Sequence, residues 1–509
     1  MTLVYEPHGD GTLRSYEERS PLMGTLHYGT PIFGVEWNQN TEEWHRIDQY
    51  GADIHDNWKF DQVDFDAYWP WGGMWRCLLD PAGTAIYGLN ARGDGLPALD
   101  GSEGRVMVRI PKFYVKSASP SANVYQWWVS AEMFPGAVVH PAFFQRGGVE
   151  LDQVYVGAYL ADFEYDGADE AYNAAHEKLH SRSGFQPYTG SLDCVWSIPI
   201  DDLGAEPALG ATIAGTEGGF LLIDYLKTAG AWSGGGAGDT AILWVRKPGD
   251  ATCGLLNGDA ITADAAALGN ATAGPTGRTV TLGHCRTLGE NIGAGWGEQS
   301  IWCYSAWKLL TYIEYADADS QTFIGRGVVD DAAGAGFAGK LSGADNADTN
   351  IGTNGTGAGT GVDGHTPVVY RGIENPWGNI WTYVDGYNAL DAPGNYRIIK
   401  RDGTGTFADT LAAGSYETST AAPIVADGYI SNIVYEDLLA LLFIPSAVAG
   451  AANTYLHDYF YAHDAGETNI LLAGGFWSNG DRAGVACLAS GNVAAVAGRD
   501  VGARVEFAG

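Results

Sequence analysis

Acidic side chains are the residues of this sequence whose types and spacing come nearest to catalysis. Asp162, Glu164, Asp166 and Asp169 could include the pair of carboxyl groups that hydrolyses a glycosidic bond. In a chain with 61 Asp and Glu residues, however, such clusters also arise as solvated surface charge. The sequence has neither a Gly-x-Ser-x-Gly nucleophile motif nor a phosphate-binding loop that ends in Gly-Lys-Ser/Thr. We therefore expect that the protein is not an enzyme.

Pairs of aspartates and histidines are the candidates for metal binding. Three pairs have a suggestive spacing: Asp317 and Asp319, Asp345 and Asp348, and His457 and His463. Neither aspartate pair lies in a twelve-residue calcium loop with a central Gly and a terminal Glu. Two histidines without a third ligand do not define a metal site. We therefore expect solvated loop charge at these positions, with no metal and no other cofactor.

Net charge and cysteine content argue against further classes of protein. The chain has 509 residues with 28 Lys and Arg against 61 Asp and Glu, and its net charge is −33. This charge repels nucleic acid and anionic membranes at long range, and it suits the solvated surface of a secreted protein or a virion. Without a Cys-x-x-Cys pair, the cysteines predict small buried side chains rather than a zinc site or a disulfide framework. The six cysteines are Cys77, Cys194, Cys253, Cys285, Cys303 and Cys487.

Targeting and membrane signals are weak in this sequence. Residues 1–8 lack the basic and apolar regions of a signal peptide. The longest apolar run, residues 438–452, is too short to cross a bilayer and contains Pro445. We expect synthesis in a host cytoplasm, no insertion into a membrane, and release by another route, such as assembly into a virion followed by lysis.

The elements that would position any site are mainly short strands. The 72 glycines and the 12% aromatic content are typical of loop-rich β proteins that still bury large rings. Two helices are predicted, an amphipathic one at residues 305–315 and a second at residues 435–443 that Pro445 ends. The predicted class is therefore α+β and β-rich. Apolar runs predict strands at residues 31–37, 105–115, 127–129, 154–159, 220–225 and 241–245.

Changes in composition divide the chain. Small residues dominate between 192 and 284, which predicts an inserted small β domain. Residues 334–364, rich in Gly, Ala, Asp, Asn and Thr, predict a long surface loop. Residues 69–77 place three Trp around a Gly-Gly pair, which favours aromatic packing in a core or a subunit interface over a ligand-stacking site.

The C-terminal segment has the most specific pattern. Residues 371–381 read Arg-Gly-Ile-Glu-Asn-Pro-Trp-Gly-Asn-Ile-Trp, residues 474–484 read Gly-Gly-Phe-Trp-Ser-Asn-Gly-Asp-Arg-Ala-Gly, and residues 502–504 read Gly-Ala-Arg. Glycines at such points permit positive φ angles and close backbone approach. Polar side chains between them would be exposed on loops that the glycines frame. This pattern resembles the C-type-lectin-like fold of phage tail and tropism-determinant proteins, a fold that the formylglycine-generating enzyme shares. Similar segments lie upstream at residues 34–37, 68–77, 106–114, 140–143, 154–159 and 309–315.

The resemblance implies a role for each matching residue. The framework positions would be Trp377, Trp381, Trp477, Gly480, Gly484, Gly502 and Arg504. The ligand-facing positions would be Tyr459, Tyr461, Phe476, Ser478, Asn479, Asp481, Arg482, Leu488, Ser490, Asn492, Arg499 and Asp500. The family's enzyme branch needs two active-site cysteines in the C-terminal core, where this chain has Cys487 alone. The resemblance therefore implies binding without catalysis.

The expected organisation and function follow from this resemblance. An N-terminal β-rich attachment or oligomerisation region would span residues 1–104. The C-type-lectin-like domain would span residues 105–191 and 285–509, interrupted by the inserted domain at residues 192–284. The expected function is non-covalent recognition of a host cell-surface protein or glycan by a receptor-binding protein of a phage tail tip or fibre. The expected partners are other tail or capsid proteins and further copies of the chain, a trimer being the form that fibre-like proteins imply. The alternative is a structural protein for capsid decoration or tail assembly that uses the same fold for subunit contacts.

Overall fold

A β-rich architecture is the main feature of the computed structural model of this chain. Strands make up 38% and helices 10%, distributed over several sheets, which agrees with the β-rich class that the sequence predicts. The structure describes residues 5–7, 13–15, 31–48, 50, 51, 65–88, 98–167, 172–190, 195–215, 220–233, 236, 238–246, 258–273, 276–331, 340–343, 350–361, 363–391, 394–410, 414–462 and 468–509.

Three larger sheets form the main body. The first contains, in spatial order, Val138–Val139, Tyr114–Ser121, Val124–Ser130, Phe33–Asn38 and Glu43–Ile47. The second contains Trp296–Glu298, Val505–Phe507, Gln153–Gly157, Arg105–Pro111, Arg76–Leu79 and Ala85–Gly88. The third contains Tyr416–Thr418, Gly394–Ile399, Trp381–Asp391, Thr468–Ala473, Leu488–Val493, Tyr459–Tyr461 and Gly428–Tyr429, with Val501–Gly502 parallel to Trp381–Asp391.

Smaller elements complete the described chain. The short sheets pair Tyr5–Pro7 with Leu13–Ser15, Asp162–Tyr165 with Glu177–His180, Gly357–Ala358 with Val368–Tyr370 and then Ile373–Glu374, and Asn432–Ile433 with Pro445–Ala447. Short 3-10 helices lie at Trp71–Gly73, Pro141–Phe144, Ala174–His176 and Gly480–Arg482. The α-helices are α1 (Leu282–Glu290), α2 (Ile301–Tyr315) and α3 (Ser320–Phe323).

The expected domain boundary at residue 104 does not coincide with a break between sheets. Arg76–Leu79 is hydrogen-bonded to Arg105–Pro111, and Phe33–Asn38 is hydrogen-bonded to Val124–Ser130. The C-terminal strand Val505–Phe507 pairs with strands on both of its sides. Residues from both sides of position 104 therefore share two sheets and one core, which a composition change along the chain does not reveal.

Most predicted strands are confirmed, with one correction. The run at residues 105–115 forms two strands rather than one, because the chain leaves the six-stranded sheet after Pro111 and enters the five-stranded sheet at Tyr114. In the predicted loop at 334–364, the short strand Gly357–Ala358 forms within the described residues 340–343, 350–361, 363 and 364. The rest of that loop lies outside the described residues.

Helix α2 differs from its expected amphipathic character. It starts after Ser300, whose hydroxyl accepts a hydrogen bond from the Cys303 backbone N–H at 3.1 Å, and every residue except Tyr315 is buried. A helix that is buried on all sides lies in the centre of a large core, and its polar side chains Lys308 and Glu314 have buried partners. The spacing of Trp307 and Ile313 therefore located the helix correctly, but the helix has no solvent face.

The second predicted helix, at residues 435–443, is wrong. This segment forms successive turns, and Phe443 has a φ of +55°, which no α-helix contains. Three carbonyl oxygens of the segment instead accept hydrogen bonds from side chains elsewhere in the chain. The donors are Trp127 Nε1 to Ala440, Ser305 Oγ to Leu441 and Lys308 Nζ to Leu442, at 2.7–2.8 Å. Tertiary hydrogen bonds thus replace the helical ones.

The segment between residues 195 and 277 forms a small closed barrel. Val195–Asp201 pairs along its length with Thr240–Arg246, and this pairing closes a ring of six antiparallel strands. The ring continues through Phe220–Ala229, Thr212–Ala214, Ala260–Ala263 and Ala266–Ala271, and Thr276–Gly277 adds to its first strand. Trp196, Ile198, Leu243 and Val245 belong to a hydrophobic cluster that the strands of this barrel enclose. Closure leaves few free strand edges. The barrel lies within the span that composition marks as an insertion.

Candidate functional site

Three tyrosines lie on one face at the edge of the eight-stranded sheet. Tyr459 and Tyr461 flank Phe460, and because alternate side chains of a strand point to opposite faces, Phe460 enters the core while both tyrosines point outward. Tyr429 pairs in register with Tyr459, which puts it on the same face. The ring centroids are 5.2 Å apart between Tyr429 and Tyr459, and 4.7 Å apart between Tyr459 and Tyr461. The three half-buried rings form a continuous row.

The loop that follows the Gly-Gly pair brings two charges to this row. The Arg482 guanidinium lies 4.8 Å from the Tyr459 ring centroid, and the Tyr429 hydroxyl donates a hydrogen bond to Asp481 at 2.9 Å. Both charged side chains are exposed. We call Tyr429, Tyr459, Tyr461, Asp481 and Arg482 the tyrosine face. It combines aromatic surface, hydroxyl groups, a cation and a carboxylate on a rigid sheet edge.

Buried polar and aromatic contacts fix the tyrosine face from below. Asn479 donates from Nδ2 to the Tyr461 hydroxyl at 2.8 Å and accepts the Phe476 backbone N–H at 2.7 Å. The Trp381 ring lies 5.6 Å from Tyr461 and 6.4 Å from Phe476. Asn479 is only 9% exposed, so it positions Tyr461 rather than offering its own amide to a ligand. Because these partners are packed, the half-buried tyrosine rings lose little conformational freedom on binding.

Electrostatics keep the Tyr429 hydroxyl neutral and the Arg482 guanidinium charged. Burial, and then the nearby Asp481 carboxylate, raise the pKa of Tyr429 to about 12. The hydrogen bond to the Tyr461 hydroxyl raises the pKa of Arg482 above its ordinary value. At neutral pH the tyrosine face therefore offers the Tyr429 O–H group, the positive charge of Arg482 and the Asp481 carboxylate, a set suited to binding.

The framework positions of the sequence pattern are buried, with one exception. The buried ones are Trp377, Trp381, Trp477, Gly484, Gly502 and Arg504, whereas Gly480 is half-buried. Arg504 donates to the backbone carbonyls of Gly157 at 2.7 Å, Glu374 at 2.7 Å and Asn375 at 3.0 Å. One side chain near the C-terminus thus joins two segments that are distant in sequence.

Gly484 occupies a position that requires glycine. Its φ is +155°, and a Cβ atom at this position would overlap the carboxylate of Asp458. That carboxylate accepts the Ala486 backbone N–H at 2.6 Å and so holds the end of the loop that carries Asp481 and Arg482. The close approach of Gly484 to Asp458 therefore shapes the tyrosine face from behind.

Substituting Gly484 by Ala is expected to lower the free energy of unfolding by about 1–3 kcal/mol, through backbone strain and the clash with Asp458. Urea denaturation would measure the change. Gly210→Ala is the matched control, because Gly210 has a φ of +81° but no atom within 4 Å of the point where the new Cβ atom would lie. Equal losses in the two variants would contradict the role of the Asp458 contact.

Besides Asn479, the structure corrects two more of the expected ligand contacts. Leu488 is wholly buried in the core, and the Ser490 hydroxyl is buried in a 2.8 Å hydrogen bond with the Tyr387 hydroxyl. Neither side chain is accessible to a ligand. Both lie on strand Leu488–Val493. The sequence pattern does not distinguish the inward-facing positions of this strand from exposed positions on a loop.

The other expected contacts spread over a wider area. Ser478 and Arg499 are exposed, and Asn492 and Asp500 are half-buried. The backbone carbonyl of Asp500 accepts a hydrogen bond from the backbone N–H of Trp381 at 2.8 Å, and the Trp381 ring contacts Tyr461. Tyr459, Tyr461, Phe476, Asn479, Asp481 and Arg482 are therefore the predicted residues that direct contacts bring together. Tyr429 was missed, because only the strand register places it opposite Tyr459.

The acidic cluster at residues 162–169 forms structural ion pairs. Asp162 pairs with Arg182 at 2.6 Å, Glu164 with Arg105 at 2.6 Å, and Asp166 with Lys178. Asp169 lies outside the described residues. Since each described carboxylate has a cationic partner within the hairpin or beside it, the cluster offers no open acid–base pair.

The same hairpin contains the sequence His176-Glu177-Lys178-Leu179-His180, which matches the spacing of zinc-binding metalloprotease helices. Here His176 ends the 3-10 helix Ala174–His176 and Glu177–His180 is a strand, so the two histidines do not lie one turn apart on an α-helix. His176 pairs with Asp166 at 2.8 Å and His180 with Glu164 at 3.7 Å. The motif therefore lacks the helix that would make it a metal site.

The other metal candidates also have structural contacts where they are described. Asp319 caps α3 through the Thr322 backbone N–H at 3.1 Å and lies 3.5 Å from His457. Asp317 accepts the Asp319 backbone N–H at 2.9 Å. Within the described ranges, no group of three or more His, Cys, Asp or Glu side chains is arranged to hold a metal ion. Asp345, Asp348 and His463 lie outside those ranges.

Cysteines and apolar helices add no further site to the described part of the chain. Cys77, Cys285, Cys303 and Cys487 are buried free thiols, as the sequence predicts, and Cys194 and Cys253 lie outside the described residues. No α-helix in the described ranges has the length and the apolar content that crossing a bilayer would require.

A comparison with models of protein families gave no match to this sequence, and a comparison with curated proteins gave none either.

Proposed function

We propose that this chain is a receptor-binding protein of a phage tail tip or fibre, which recognises a host cell-surface protein or glycan without covalent chemistry. The observation that carries the proposal is the tyrosine face. Its three half-buried tyrosine rings and its exposed Arg482 are held on a sheet edge by buried partners. Tyrosine and arginine are the residues that most often dominate binding energy at protein interfaces.

The proposal includes a C-type-lectin-like fold for the region that carries this face. It rests on the resemblance of the Gly-Gly-x-Trp and Gly-x-Arg segments. Burial of Trp477 and Arg504, and the glycine-specific position of Gly484, support a framework role for the residues that carry this resemblance. Recognition residues commonly lie on loops and edges that such a rigid scaffold positions.

Assembly of several copies into a virion would raise the strength of attachment above the affinity of a single tyrosine face. Repeated copies on one particle turn weak single contacts into strong attachment, because each further contact is made at a high effective concentration. The proposal therefore includes homo-oligomers, with a trimer as the form in fibre-like proteins, and contacts with other tail or capsid proteins.

Competition for host cells tests this proposal. Purified chain in excess is expected to bind host cells saturably and to block adsorption of particles that carry the same chain. An equally acidic, unrelated protein is the control for non-specific effects of the −33 net charge. The proposal is wrong if the chain neither binds cells nor blocks adsorption, or if the tyrosine face is buried between subunits of the particle.

A structural role in capsid decoration or tail assembly is the second candidate, and a separate surface favours it. The Arg109 guanidinium lies between two half-buried indoles, 4.9 Å from the Trp69 ring centroid and 4.7 Å from that of Trp75. Arg109 also donates to Gln153 at 2.6 Å. Aromatic and arginine side chains of this kind are enriched at subunit contacts. Particles that fail to assemble after Trp69→Ala, but that assemble normally after changes in the tyrosine face, would support this candidate.

A further inference from the structure

A cleft of about 520 Å³ lies between the small barrel and the main body. Strand residues Ser197, Pro199, Ile242 and Trp244 line one side of it. They alternate with the residues that fill the barrel, so they occupy its outer surface. Residues of the main body, including Arg278 and His284, line the opposite side.

Tyr172, which is 43% exposed, supplies aromatic surface at this cleft, and Trp244 supplies an unused donor. The Trp244 ring stacks on Tyr165 at 4.9 Å, and Tyr172 stacks on the same Tyr165 at 6.0 Å. Trp244 is 1% exposed, yet its indole N–H has no hydrogen-bond acceptor among the described residues. A buried donor without a partner destabilises the folded chain, and a ligand oxygen at this point would remove that penalty.

The walls of the cleft carry no net charge. The Arg278 guanidinium is paired with the Glu177 carboxylate, which also accepts the Tyr172 hydroxyl at 2.8 Å. Burial, and then the charge of Arg278, lower the pKa of His284 to about 4, so this imidazole is neutral at pH 7. An anion would meet an arginine that is already neutralised, in a chain whose net charge is −33.

The lining of the cleft contains both polar and apolar groups. Ser197, Thr276 and Thr279 carry hydroxyls, whereas Pro199 and Ile242 offer aliphatic surface. A purely apolar ligand would leave the hydroxyls and the indole N–H without partners after excluding water. A pyranose ring has C–H faces for apolar and aromatic surface and hydroxyls for the polar groups, and it carries no charge.

We propose that this cleft binds a neutral saccharide of one or two rings, with Trp244 donating its indole N–H to a sugar oxygen. The volume lies within the range of about 300–1,000 Å³ that is usual for small-molecule sites. The site is separate from the tyrosine face and does not depend on the receptor-binding role. It gives the barrel a function of its own at its junction with the main body.

Titration of the full chain with defined sugars tests this proposal. The probes are lactose, maltose, cellobiose, mannose and N,N′-diacetylchitobiose, followed by calorimetry and by saturation-transfer NMR. We expect at least one probe to bind saturably with a Kd below about 10 mM. The proposal is overturned if none does, or if inorganic phosphate binds in the cleft and no sugar displaces it.

Two variants locate the binding. Thr276→Trp fills the cleft and is expected to weaken sugar binding at least about tenfold, whereas the matched Thr212→Trp, at an exposed barrel position outside the cleft, leaves it unchanged. Trp244→Phe keeps an aromatic ring but removes the indole N–H, and it is expected to weaken binding about tenfold. Circular dichroism and thermal unfolding check that each variant folds. Sugar binding that survives both Thr276→Trp and Trp244→Phe in folded protein would overturn the assignment.

Discussion

Substituting Arg371 by Met is expected to lower the free energy of unfolding by about 3–5 kcal/mol, because it leaves a buried carboxylate without its partner. Arg371 is 1% exposed, and it donates to both carboxylate oxygens of Glu314 in α2, at 2.8 and 2.6 Å. The same guanidinium lies 3.0 Å from Asp66 and donates to the Trp71 carbonyl at 3.2 Å. This one side chain therefore links the central helix to the N-terminal part of the chain.

A double variant and a surface control make this prediction specific. Arg371→Met with Glu314→Leu removes both charges of the pair, and we expect it to recover part of the lost stability. Arg401→Met breaks a half-buried pair with Glu417, at 3.0 Å, and a pair with the exposed Asp437, at 2.7 Å, and should cost about 1 kcal/mol. Urea denaturation of the four proteins measures the effects. A loss after Arg371→Met no larger than that after Arg401→Met would contradict a structural role for the buried pair.

The double substitution Tyr459→Ala with Arg482→Ala is expected to weaken receptor binding at least about 100-fold, which corresponds to about 2.7 kcal/mol. The two side chains form one contact, with the guanidinium 4.8 Å from the ring centroid, so removing both deletes the centre of the tyrosine face. Stability should change little, because Arg482 is exposed and Tyr459 is only half-buried. Binding of the purified variants to host cells measures the effect.

The matched control removes an exposed tyrosine elsewhere. Tyr50 is 80% exposed and lies outside the tyrosine face, so Tyr50→Ala should leave cell binding unchanged. Tyr429→Phe adds a finer test, since it keeps the ring and removes only the hydroxyl that donates to Asp481 at 2.9 Å. We expect a loss of about three- to tenfold from this variant. Normal adsorption by particles with the Tyr459 and Arg482 double variant would exclude the tyrosine face as the receptor contact.

Local signals identified most strands and the polar loop of the candidate site. The alternation of Tyr459, Phe460 and Tyr461 and the glycines around residues 474–484 are properties of a few consecutive residues. The backbone geometry that such residues favour is largely independent of the rest of the chain. Six residues of the candidate site are therefore predictable from the sequence alone, without knowledge of tertiary contacts.

Long-range contacts decided where these local signals fail. Residues 435–443 have a helical pattern, yet their carbonyls accept hydrogen bonds from Trp127, Ser305 and Lys308, and the segment forms turns. The sequence His176-Glu177-Lys178-Leu179-His180 has zinc-site spacing, yet its residues Glu177–His180 pair as a strand with Asp162–Tyr165. In both segments, partners distant in sequence outweigh a local preference of less than about 1 kcal/mol per residue.

The sequence by itself determined the β-rich class, the strands that alternate clearly, the buried cysteines and the loop that carries Asp481 and Arg482. The tertiary structure alone decided that Tyr429 joins Tyr459, that Leu488 and Ser490 face the core, and that strands from both sides of residue 104 share sheets. It also decided that Trp244 lines a cleft between the barrel and the main body. The physical reason is that strand pairing and burial depend on contacts across hundreds of residues, whereas turn and strand preferences arise within a few.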